Sequence, residues 1–110
     1  MKKLTALFIT SLIAACGTTL VVPTKQDVDR ISNQYPGVTL ADLMDGKNTY
    51  QQNCSACHAF KKLNSKTEEQ WNKIVPVMVN KANRKAGKEL IDGKQKETLL
   101  KYIITMRTAQ

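Results

Sequence analysis

The chain holds a single histidine, three cysteines and few aromatic residues, 5% of its 110 positions. No stretch alternates apolar and polar residues over a useful length, which argues against half-buried strands and against the βαβ pattern of a thioredoxin-like fold. Tetrahedral zinc takes four nitrogen or sulfur ligands. Two of the cysteines and the histidine fall within one five-residue run, and only Cys16 lies outside it, so the set that a structural zinc site would need is lacking. Apolar runs are scarce as well: the one from Leu4 to Ala15 is too short and too one-sided for a spanning helix. Acidic residues number 9 against 17 Lys plus Arg, a formal charge of +8.

What is present is concentrated in Cys54-Ser55-Ala56-Cys57-His58. Two cysteines separated by two residues and followed at once by histidine read as a site of covalent haem attachment. On one helical turn the cysteines lie side by side, so both sulfurs reach the two vinyl groups on one haem edge. His58 then presents a neutral imidazole to the iron, a strong proximal ligand. A structural disulfide, half a zinc site and a redox dithiol use the same cysteine spacing, but each lacks its companions here.

The N-terminus carries Met1-Lys2-Lys3, then the apolar stretch, then two alanines before Cys16, the order of an export signal over residues 1–15. Ile13-Ala14-Ala15-Cys16 also resembles the lipobox of bacterial lipoproteins, which implies a lipid-modified Cys16 as first residue of the mature chain and accounts for the odd cysteine. Acyl chains there would hold the protein at a membrane surface without a crossing helix. Gly17, where aspartate is lacking, resembles lipoproteins sorted to the outer rather than the inner membrane. The mature 95 residues carry +6, unevenly: 3 basic and 4 acidic residues from Cys16 to Cys57, 12 basic and 5 acidic from His58 onward. A basic half around a redox site steers acidic partner proteins. Nucleic acid is excluded as a partner by export.

Leu20 to Pro23 reads as a tether, and Thr24 with Asp27 opens a first helical segment carrying Val28, Ile31 and Tyr35, stopped by Pro36-Gly37. A second helix is expected over Leu40 to Cys54, with Gly46 marking a close approach of another helix. Thr67-Glu-Glu-Gln70 opens a third, with Trp71, Ile74, Val75, Met78 and Ala82 on one face and Pro76 expected to kink it. The last starts near Asp92, with Gln95, and carries Leu99, Leu100, Ile103, Ile104 and Met106. The chain is therefore expected to be all-α, with an arm over 16–39 and one domain over 40–110. So small a domain needs a staple, and haem would serve as one.

The haem motif on an early helix, Gly46 and Tyr50 ahead of it, and a last helix with Tyr102 together resemble a small class I c-type cytochrome. The resemblance covers most of the mature chain and implies helices wrapped around one covalent haem c, the first and last crossing near Gly46, Tyr50 and Tyr102. The chain is also similar to a bacterial subgroup with Pro-Gly before the first haem helix and a tryptophan seven residues ahead of a methionine, matched by Pro36, Gly37, Trp71 and Met78. For the second axial position Met44, Met78, Met106, a lysine, an asparagine or no ligand at all come into question. Met44 precedes the motif on its own helix and Met106 sits among packing residues. Met78 follows His58 by 20 residues, beyond a loop able to cross the haem edge, and is the expected distal ligand, although the same residue also fits a plain helical stripe.

A His58/Met78 site leaves the iron no open position. The expected function is thus electron carriage in the periplasm and not catalysis. The alternatives are gas or peroxide binding at a weak sixth position, or service as a haem subunit of a larger oxidoreductase complex.

Overall fold

The computed structural model describes residues 20–54 and 62–109. These residues are all-α, with no strand among them. Helix α1 spans Lys25–Ile31, α2 Leu40–Thr49, α3 Glu68–Ala86 and α4 Gly93–Met106. Each begins where side chains can satisfy the first backbone N–H groups, which have no partner inside the helix. In α3 the Thr67 N–H donates to Gln70 Oε1 at 2.8 Å while the Gln70 N–H donates to Thr67 Oγ1 at 3.2 Å. Asp92 and Gln95 exchange the same pair of bonds at the head of α4, as do Thr39 and Asp42 at α2. At α1 the Asp27 carboxylate accepts from both the N–H and the hydroxyl of Thr24. Helix α3 ends at Gly87, whose φ of 67° is a left-handed backbone that glycine adopts without strain.

Three details depart from the sequence expectation. Helix α1 stops at Ile31 and hands over to turns closed by the Tyr35 N–H donating to the Ile31 carbonyl. The helix leading to the cysteines is α-helical only to Thr49. Tyr50–Cys54 forms a π-helical turn, a rare insertion that is frequent at functional sites. And Leu20 to Pro23, read as a tether, lies against the protein: Leu20 and Val21 pack on the core and Pro23 is buried. Pro76 sits inside α3, which continues through it as one helix.

Helices α2 and α4 make the most extensive packing in the fold, and they cross at Gly46. A Cβ built there would stand 2.1 Å from the Thr98 carbonyl oxygen and 2.6 Å from Tyr102 Cβ. Only a residue without a side chain permits this approach. Beside the crossing, Thr98 Oγ1 donates to Asp45 Oδ2 at 2.6 Å, and the Tyr50 and Tyr102 rings pack with centroids 6.3 Å apart. Helix α1 packs on both α2 and α4, and its Ile31 joins Val38 and the α2 residue Leu43 in a small buried cluster. It is clipped to the end of α4 by Arg30, which donates to the Thr105 carbonyl at 3.0 Å and pairs with Asp27 at 2.9 Å. Burial by itself would raise the Asp27 carboxyl, but hydrogen bonds from Arg30 and Thr24 outweigh it and hold the group below its ordinary 3.8.

Two outcomes are expected. Gly46→Ala should destabilise the protein by about 3 kcal/mol or prevent folding, because the clash is with backbone; chemical denaturation measures it, and a loss under 1 kcal/mol would refute the crossing geometry. A carboxyl depressed in the folded state stabilises above its unfolded pKa of 3.8 and loses that contribution as pH falls through the lower folded value. The α1 amides should therefore lose hydrogen-exchange protection in acid below pH 3.8, and Asp27→Asn should abolish that pH dependence.

Candidate functional site

A cavity of about 490 Å³ lies between α3, the π turn and α4. The π turn contributes Tyr50, Asn53 and Cys54; α3 contributes Trp71, Ile74, Val75, Met78, Val79 and Ala82; α4 contributes Leu99 and Ile103. The wall is overwhelmingly apolar, as in sites that take a flat organic group.

Its geometry is built locally. The indole Nε1–H of Trp71 donates to the Leu63 carbonyl at 2.8 Å, pinning α3 to a short 3₁₀ turn, Leu63–Ser65. Both residues are buried, so a packed contact and a satisfied donor fix the ring together. At the far end, Asn83 clamps the chain after α3: its Nδ2 donates to the Ile91 carbonyl at 3.0 Å and its Oδ1 accepts from the Ile91 N–H at 2.8 Å. That clamp buries Ile91 and adds it to the cavity wall. On the π turn the Asn53 amide donates to the Thr49 carbonyl at 3.1 Å.

The charged residues of the wall are Lys73 and Lys81, with Asn53 and Tyr50 as its neutral polar members. Lys73, Val77 and Lys81, at four-residue spacing on α3, border the opening, and Val77 is 65% exposed. Lys73 pairs with Glu69 at 2.7 Å, but both side chains are largely in water, where such pairs contribute little. Behind the wall, in the packed core, burial, with Tyr50 alongside, pushes the Tyr102 phenol up to about 12, so it stays protonated and donates to the Val21 carbonyl at 3.0 Å.

The residues expected from sequence are distributed as follows. Cys54 and Met78 border the same cavity from different elements. Of the other methionines, Met106 is buried in the core and Met44 lies on α2, and neither borders the cavity. Lys73, Lys81 and Asn53 do border it. Cys57, His58, Cys16 and the export signal over 1–15 lie outside the described residues. Unexpected from sequence were Ile91, which only the Asn83 clamp brings in, and the Lys73, Val77 and Lys81 edge. Helical spacing from Met78 could have found that edge. No family model, curated protein or solved structure matches this chain.

A haem fits these residues: the volume lies within the roughly 300–1,000 Å³ typical of cofactor sites, the wall is apolar, and sulfur comes from both the π turn and α3. The two methionines should therefore respond differently to truncation. Met106→Ala removes a fully buried side chain and should cost about 2–5 kcal/mol in denaturant melts, while Met78→Ala, at a half-buried cavity wall, should lose less than 1–2 kcal/mol of packing. Equal losses would remove Met78 from the wall.

Proposed function

We propose that this chain is an exported, lipid-anchored monohaem cytochrome of the class I c type and that it carries electrons between periplasmic proteins without catalysing a reaction of its own. The observation that carries the reading is the shared cavity: the first cysteine of the haem-attachment run and the one methionine expected to face it border the same apolar space. Haem c would supply a one-electron couple between ferric and ferrous iron.

The chain's residues would divide the remaining work. Cys54 and Cys57 would form the thioethers, and His58 and Met78 would ligate the metal, which would then supply electron transfer and not substrate binding. Leu99, Ile103, Val75 and Val79 exclude water, which disfavours the more highly charged oxidised form and, with a thioether ligand, raises the reduction potential. Trp71, fixed by its bond to Leu63, keeps that wall from rearranging between oxidation states. Partners would be proteins with an acidic docking surface, drawn by the basic C-terminal half of the chain. Cys16 would anchor the protein to the periplasmic side of the outer membrane.

The test is spectroscopic. The ferric protein should show a near-infrared sulfur-to-iron charge-transfer band, and Met78→Ala should abolish it while the haem stays covalently bound. Retention of the band in that variant would contradict Met78 ligation, and avid carbon monoxide binding by the reduced native protein would contradict a filled sixth position.

A further inference from the structure

The tripeptide Asp-Gly-Lys occurs twice in the chain, as Asp45-Gly46-Lys47 and as Asp92-Gly93-Lys94. An aspartate followed by glycine is chemically labile, because no side chain shields the next backbone nitrogen from the carboxyl carbon. The glycine nitrogen bonds to the aspartate Cγ, and its hydrogen leaves with the carboxyl hydroxyl as water, closing a five-membered imide. Water then opens the ring at either carbonyl, which restores aspartate or routes the backbone through the former side chain as isoaspartate. With the same two residues following each aspartate, it is the fold that sets the two sites apart.

Both carboxyl groups border one shallow cleft between the heads of α2 and α4, so they share a local charge environment. Their backbones differ. Gly46 lies buried inside α2, where the helical pattern ties its N–H to the carbonyl four residues back, and α4 packs so closely that the Thr98 carbonyl fills the place of a Cβ. The Asp45 carboxylate is itself held by Thr98 Oγ1 at 2.6 Å. Ring closure there would require the crossing of α2 and α4 to open. Asp92 instead is the N-cap of α4, with an extended backbone of φ −81° and ψ 178°, and Gly93 supplies the first N–H of the helix, which has no acceptor inside it. Both residues are exposed, and a Cβ built on Gly93 would meet nothing within 4 Å. The Asp92 carboxylate is restrained by a bond accepted from the Gln95 N–H at 2.8 Å, in a first turn that can open without disturbing the core.

We propose that Asp92 is a site of spontaneous isoaspartate formation in the folded protein and that the identical tripeptide at Asp45 is protected. The change reaches the cavity. Isoaspartate adds a methylene to the backbone next to Ile91 and moves the carboxylate off the Gln95 N–H, so α4 loses its cap where the Asn83 clamp holds Ile91 in the cavity wall. Ageing at this one residue loosens a corner of the cavity, whatever the cavity holds.

The experiment ages the full protein, folded and in neutral buffer, for weeks beside a sample kept in urea. Trypsin cuts after Lys47 and Lys94, so each site falls in its own peptide, and chromatography with electron-transfer fragmentation separates aspartate from isoaspartate. In the folded sample isoaspartate should accumulate several-fold faster at position 92 than at 45, whereas in urea both should convert at similar rates. Gly93→Ala, which has room for its methyl group, should slow conversion at 92 several-fold and leave the circular dichroism unchanged. In the converted fraction the Gln95 amide should exchange with deuterium about fivefold faster, as loss of a typical helix cap implies. Conversion at 45 as fast as at 92 in the folded protein, or none at 92 over the time in which the urea sample converts, would overturn the proposal.

Discussion

The structure depends on the contact between α2 and α4 at Gly46. Among the described residues no other helix pair packs so extensively, and the absence of a single Cβ permits it. With the two backbones this close, Thr98 reaches Asp45 and Tyr50 meets Tyr102. The π turn then leaves α2 from a fixed point and carries Cys54 to the cavity wall. The arm depends on the same crossing, since Tyr102 holds Val21 from its other end. One glycine thus couples the N-terminal arm, the core and the cavity.

Leu99 and Ile103 belong to the same packed core as Tyr102, Ile104 and Met106, and with the α3 stripe they also border the cavity. A compact domain of this size buries little surface, and an apolar cavity of about 490 Å³ at its centre removes still more packing. A covalently attached planar group would restore those contacts. The packing deficit and the proposed haem therefore point to the same site.

Much of this was legible in residue order. Thr24 with Asp27, Thr67 with Gln70 and Asp92 with Gln95 signalled helix starts because capping is a local interaction three residues long. Gly46 signalled a close helix approach because glycine is costly in a helix interior. The α3 stripe placed Trp71, Val75 and Met78 together by periodicity alone. Other features depend on distant partners and left no local mark. The arm's packing needs Tyr102, 81 residues from Val21, and the burial of Ile91 needs Asn83. The π turn also escaped periodicity, since Tyr50, Asn53 and Cys54 share a face in an ordinary α-helix too. The Lys73 to Lys81 edge was hidden in plain charge, where basic residues read as a general surface property and not as the rim of a cavity.

The central claim is that the cavity holds haem bound through Cys54 and Cys57. Its most direct test is mass spectrometry, with haem staining, of the protein exported by a bacterium competent in cytochrome c maturation, after full denaturation. The account predicts one haem retained per chain through thioether bonds, and loss of that mass in a Cys54→Ser, Cys57→Ser double variant. A native chain that is exported and stable yet carries no covalent haem would contradict it.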